Sequence, residues 1–471
     1  MSDDKGALGP EVSGLAHIAA TDPQALARER ETLEALAGEG VLTRFRGYFA
    51  LTGPGWLQSA FTLGGGSAVA SLYLGAHYGY ELLWVQPLAM IVGVTMLAAC
   101  AHQTLSTGLR PFAAMSRFVH PAAAWAWALA TLASNFVFHA SQLSLAAGVI
   151  EDMTNLFTGW SPEGVARTTF LLFVGALVLS VSIGITWNYG RGLRGTRFYE
   201  RTLKVFVWMI ILAFGLVVAR GAASGNLDWG AIARGFIPTS IPTDVQGVTT
   251  VMGAFGAAVG INMTFLFGYS LLARGWGPAH RGLSRFDLVT GMFLPYTIVT
   301  SLVIIAAAST IYGTEFAPQQ ILPANAGVLI GSSGVGEFTG RVSFALGILA
   351  MVLSTLTLQM NVAGFVVCEL CGWEPRGLRY RLACLAMLPA FPGVVLWETM
   401  GMWVALPAFT IGLIMLPTAY VGWFLLQNSD GLLGADRPRG ASAVRWNVAM
   451  TAAVTITLVS VGYTLWTRLL A

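Results

Sequence analysis

From Tyr48 onward the chain returns repeatedly to apolar runs of about 20 residues or more, separated by short stretches rich in arginine, glycine and proline. A hydrocarbon core about 30 Å thick takes roughly 20 helical residues to cross, so runs of this length predict membrane-spanning helices. About eleven are predicted, at 49–73, 80–101, 122–149, 166–188, 201–220, 245–272, 286–312, 338–368, 380–397, 402–427 and 445–467. The 1–47 stretch differs in kind: it holds Asp3, Asp4, Lys5, Glu11, Arg28, Glu29, Arg30, Glu31, Glu34 and Glu39, and no apolar run long enough for a signal peptide. Asp22-Pro23 followed by alternating alanines, leucines and charges predicts a short capped helix ending at Gly38, on the membrane surface, against the bundle, or nascent in a flexible tail.

Loop charge sets the expected orientation. With a cytoplasmic N-terminus, all of the 26 lysines and arginines except Arg167, Arg220, Arg234, Arg341 and Arg468 fall on the cytoplasmic side. That asymmetry satisfies the positive-inside rule and predicts an external C-terminus in the cell (inner) membrane.

Composition agrees with the pattern: 55% of residues are apolar and 10% charged, against about 25% charged in a soluble domain. A water-soluble globular protein is excluded, and a net charge of +3 gives no case for nucleic acid. Cys368 and Cys371 form a lone C-x-x-C without a second pair, which reads as a helix end more readily than as a metal or redox site. The chain carries no HExxH, GxSxG or GxxxxGK[ST], so neither an enzyme nor a cofactor is expected.

Two apolar segments contain glycine where a spanning helix disfavours it. The first carries Gly64-Gly65-Gly66-Ser67 at mid-depth; the sixth carries Gly253, Gly256 and Gly260, with Asn262 and Thr264 just beyond. Interrupted segments five helices apart point to a transporter of two inverted five-helix repeats with its substrate between the breaks. The alternative is that these glycines only let helices pack closely. The expected divisions are a polar tail at 1–47, repeats at 48–220 and 221–428, and a loop with helix 11 at 429–471. Substrate-binding candidates are Gly64, Gly65, Gly66, Ser67, Gly260, Asn262 and Thr264.

The third segment adds Asn135, His139 and Gln142 on a similar face. Ionisable and polar groups are costly in lipid, so these are candidates for a proton or polar pathway, or for interhelical hydrogen bonds alone. His102, Glu81 and Glu369 fall near predicted helix ends, where interfacial solvation accounts for them.

Several stretches resemble one family. Gly53-Pro54, the break at 64–67 and Gly75-Ala-His-Tyr78-Gly79-Tyr80-Glu-Leu-Leu-Trp84 are similar to helix 1 and the start of helix 2 of the Nramp divalent-metal transporters. Ala363-Gly364 through Glu369, Leu416-Pro417 and Asn428-Ser429-Asp430 through Gly434 resemble that family's helices 8 and 10 and the loop that follows. The resemblance implies an all-α membrane protein of leucine-transporter architecture and proton-coupled uptake of manganese or ferrous iron. It also places the family's Asp-Pro-Gly-Asn on Gly64–Ser67 and its Met-Pro-His on Gly260-Ile261-Asn262, so the family's side-chain ligands are replaced. A divalent ion shedding water needs anionic or strongly basic ligands, which these positions lack.

The expectation is therefore a multi-pass secondary active transporter, a symporter. Divalent metal ion transport is implied by the resemblance and opposed by the residue chemistry, and no metal ligand is assigned. The alternatives are a carrier for a small anion or a carboxylate or zwitterionic solute bound at the glycine-rich break, and a membrane sensor that does not transport. The partners expected are a small solute or ion, membrane lipid, and a proton or sodium ion for coupling.

Overall fold

The computed structural model describes residues 23–188, 193–242, 245–313, 336–396 and 406–469, and these are helical almost throughout. Helix α1 (Pro23–Ala37) lies against the bundle: Leu33 and Leu36 are buried, and the Trp276 indole donates to Glu29 at 2.8 Å. Helix α2 (Val41–Leu51) runs across position 47, where the hydrophobic pattern ends the polar tail. It exposes Val41, Leu42, Phe45 and Phe49 beside Arg44 and Arg46, an interfacial composition.

The first predicted span is a broken pair, α3 (Pro54–Thr62) and α4 (Gly65–Tyr78). Next come α5 (Val85–Thr107), α6 (Pro111–Phe118), α7 (Pro121–Thr158), α8 (Gly164–Thr186), α9 (Leu193–Ala223) and a short α10 (Trp229–Gly235). The sixth span is also split, into α11 (Val245–Ala258) and α12 (Ile261–Ala273). The seventh contains α13 (Arg281–Asp287), a π-helical turn at Leu288–Phe293 and α14 (Leu294–Thr310). Then follow α15 (Glu337–Leu370), α16 (Gly377–Cys384) running into a 3₁₀ stretch at Leu385–Leu396, α17 (Leu406–Gln427), α18 (Asp430–Leu433) and α19 (Gly440–Leu469). Among the described residues nine helices are long and apolar enough to cross a membrane, ten if the bent Ile411–Gln427 and Asp430–Asp436 pair is one span. The halves of the first span, of 9 and 14 residues, are each too short to cross alone and add the remaining segment of the predicted eleven.

Helix α15 forms the core pillar, packed against α7 and α9, while α4 lies along α14 and α11 beside α5 and α17. The breaks therefore meet α7 and α15 in the middle of the bundle.

The loop-side end of α3 is held by charge. Asp287 is buried and accepts from the N–H groups of Gly53 at 3.3 Å and Gly55 at 2.7 Å. A side chain at Gly55 would meet the Asp287 backbone at 2.3 Å, so glycine is what lets α3 close onto the π-helical turn. Arg274 pairs with Glu200 at 3.3 Å and donates to the Leu51 carbonyl at 3.0 Å. Lys204 donates to the Thr52 carbonyl at 3.1 Å. Glu369 departs from its expected solvation: it is half-buried, 3.4 Å from Arg110 and accepting from Tyr269 at 2.7 Å, because α12 and the loop before α6 fold over that end of α15.

Candidate functional site

Between the breaks lies a cavity with about 30 Å³ of water-accessible space, enough for one or two water-sized groups. Its lining includes Gly64, Gly66, Ser67, Gly260 and Asn262 from the predicted set, with Gln142 from α7. Gly65 turns away: a Cβ there would lie 2.6 Å from Leu145 and 2.7 Å from the Gln142 amide oxygen. Thr264 is also not part of the lining; its hydroxyl accepts from the Trp127 indole at 3.0 Å and donates to the Ile261 carbonyl at 2.5 Å.

The glycine run leaves the start of α4 without a side-chain cap, and the cap comes from another helix. Gly64 is extended, with φ −90° and ψ 173°, and the Gly65 N–H donates to Gln142 Oε1 at 3.0 Å. A helix has no intrahelical partners for its first N–H groups, and among the residues that carry them here Gly66 and Ser67 line the cavity. Particular carbonyls at the breaks, by contrast, have hydroxyl partners. Ser67 Oγ lies 2.6 Å from the Thr62 carbonyl and 3.0 Å from that of Gly64, and the Thr62 hydroxyl donates to the Ala258 carbonyl. Asn262 Oδ1 accepts from the Met263 N–H at 3.0 Å.

The polar stripe of α7 joins this site. Asn135 donates to the Gln359 carbonyl at 2.7 Å and receives the Asn262 amide at 3.4 Å. His139 Nδ1 lies 2.9 Å from Gln359 Oε1, and with the amide in this orientation Nδ1 is the donor. His139 Nε2 and Gln359 Nε2 are both buried with no hydrogen-bond partner among the described residues. Gln359 is itself a lining residue of the cavity.

The pattern alone missed Gln359, Thr355, Met263 and Thr62. The signal was present for the helix-8 pair: Ser354, Thr355, Thr357, Gln359 and Asn361 interrupt an otherwise apolar α15 at mid-length. Met263 returns a thioether to the cavity three residues after the position from which the family's methionine is missing. Among the described residues no three His, Cys, Asp or Glu side chains cluster as a metal site would need.

A profile of the Nramp family, natural resistance-associated macrophage protein-like, matches residues 55–467. The chain belongs to the Nramp family. Its relatives include the divalent metal cation transporter MntH of Agrobacterium fabrum, 24% identical over 422 residues, 87% of this chain and 86% of that one. MntH of Deinococcus radiodurans is 26% identical over 465 residues, 93% of this chain and 94% of that one. A manganese transporter of Eremococcus coleocola, solved with an aromatic bis-isothiourea compound, superposes with a TM-score of 0.71 at 15% identity, covering 91% of this chain and 89% of that one. Mhp1, a nucleobase-cation-symport-1 transporter, superposes at 0.55 with 11% identity over 88% of this chain and 91% of its own. The leucine-transporter-like fold expected from the paired breaks is thus the fold of this Nramp member, a multi-pass membrane transporter and not an enzyme. The positions onto which the resemblance carries the family's ligands, Gly64, Ser67, Gly260 and Asn262, all line the cavity.

Proposed function

We propose that this Nramp-family chain is a proton-coupled secondary transporter of a small anion or carboxylate-bearing solute. The observation that carries this reading is the donor and acceptor balance of the cavity. The Thr62 and Ala258 carbonyls at the breaks accept from the Ser67 and Thr62 hydroxyls, the first-turn N–H groups of Gly66 and Ser67 have no intrahelical acceptor, and Gln359 Nε2 has no hydrogen-bond partner among the described residues. The positive end of α4 reinforces an anion at the same place. A dehydrated divalent ion would meet the opposite: no carboxylate, no imidazole in the lining, and oxygens already engaged. His139, linked through Gln359, is the ionisable side chain tied to this network and is assigned the coupling proton.

One observation favours a metal instead: the Met263 thioether in the lining, in a family whose named relatives are divalent metal cation transporters. Proteoliposome uptake with manganese, amino acids, carboxylates and inorganic anions separates the readings. Pump-free uptake of an anion driven by an inward proton gradient is expected. Micromolar manganese binding by calorimetry would return the site to metal, a sodium requirement would replace the proton, and transport of nothing would leave a sensor.

The repeats are assigned to 48–220 and 221–428, with the N-terminus cytoplasmic and the C-terminus external. Cysteines placed at 191–197 and at the C-terminus are expected to label from opposite sides; labelling of both from one side would overturn the orientation.

A further inference from the structure

A second recess lies outside the bundle core, where α5, α13 and α19 meet, with a volume of about 400 Å³. Its residues divide by chemistry. Arg285 and Arg445, with Thr95 and Ser442, supply its polar groups; Val94, Ala98, Ala449 and the Trp446 ring supply its apolar lining. Val94 and Ala98 sit near the middle of the 23-residue α5, and Ala449 is one helical turn further into the span than Arg445. The recess therefore runs from a polar helix end toward hydrocarbon depth. Its flanks face outward from the bundle, with Ile91 50% and Val448 65% exposed.

The two arginines are electrostatically uncompensated. Among the described residues neither forms an ion pair, and the acids nearby in the chain are already engaged: Asp436 by Arg281 at 2.5 Å, and Asp430 by Arg437. Two guanidiniums above an apolar slot match an amphiphile with a phosphate at one end and an acyl chain at the other. A trapped soluble phosphate would leave the Val94, Ala98, Trp446 and Ala449 lining unused, and a zwitterionic headgroup would bring an ammonium against Arg285 and Arg445.

We propose that this recess is a binding site for an anionic phospholipid, its phosphate between Arg285 and Arg445 and one acyl chain along Val94, Ala98 and Ala449. Because α13 carries both Arg285 and Asp287, which holds α3, the lipid would brace the outer side of the element that clamps the broken helix.

The test uses the full-length protein purified in detergent and exposed to phosphatidylglycerol or phosphatidylcholine of identical chains, with retained lipid counted by native mass spectrometry. Preferential retention of phosphatidylglycerol is expected, about thirtyfold weaker in the Arg285→Gln, Arg445→Gln double variant and unchanged in Arg439→Gln. Equal retention of the two lipids, or unchanged retention in the double variant, would overturn the site. Inorganic phosphate competing at the affinity of the lipid would also overturn it, by assigning the arginines to a soluble anion. Should the double variant fail to fold, the single Arg445→Gln and the two-lipid comparison on the unaltered protein still decide.

Discussion

The break at Gly64 and the loop-side clamp on α3 lie at opposite ends of one nine-residue helix, and they solve the same problem by opposite chemistry. Both must satisfy backbone groups that an interrupted helix leaves exposed in a medium without water. At the clamp, N–H groups of Gly53 and Gly55 meet the Asp287 carboxylate, while carbonyls of Leu51 and Thr52 meet Arg274 and Lys204. At the break the partners are uncharged: the Gln142 amide, the Ser67 and Thr62 hydroxyls and Asn262. Full charges come with counter-charges and hold one arrangement firmly; neutral amides and hydroxyls are replaced by a ligand at smaller cost. The charged end is built to hold and the neutral end to exchange partners.

The largest effect is expected where that division is sharpest. Asp287→Ala leaves two buried N–H groups without an acceptor and should cost about 3 kcal/mol, read as a lower melting temperature in detergent. Asp287→Asn keeps an acceptor oxygen and should lose less. An Asp287→Ala protein that melts like the unaltered one would break the comparison. Next comes Gly65→Val, whose added carbons collide with Leu145 and Gln142 at 2.6 and 2.7 Å. About 2 kcal/mol of stability should go, together with transport, since the same change disturbs the Gln142 cap. Gly66 lines the cavity instead, so Gly66→Ala should lose uptake with a nearly unchanged melting temperature.

That separation of Gly65 from Gly66 marks the limit of what the sequence makes legible. Length and periodicity exposed the spans, and three consecutive glycines with a matching Gly260 exposed both breaks, because no packing detail is needed to see that a helix there is disfavoured. Which glycine faces a neighbour and which faces a void depends on rotation about the helix axis, which the pattern leaves open. The helix-3 stripe is visible in the sequence as Asn135, His139 and Gln142, a polar pathway or interhelical hydrogen bonds; the fold makes it the cap of the first break and its link to Gln359. Thr264 looked like a ligand and serves the Trp127 indole. Glu369 looked solvated because its partner Arg110 is distant in sequence. Long-range partners of this kind are what one-dimensional spacing does not carry.

The smaller effects test the neutral end. Gln359→Leu removes the free amide donor and the partner of His139 together, and should raise the half-saturation concentration for cargo by about ten- to a hundredfold. It should also flatten the dependence of uptake on a proton gradient, which a purely structural glutamine would not affect. Asn262→Ala should do least, about 1 kcal/mol or fivefold in half-saturation, because Oδ1 already caps the Met263 N–H and Nδ2 makes only a long contact of 3.4 Å to Asn135. If Asn262→Ala instead abolished uptake while Gln359→Leu left it intact, α12 rather than α15 would present the cargo's main partner. The Gln359 donor would then be a packing defect filled by water, and the anion reading would lose its strongest side-chain support.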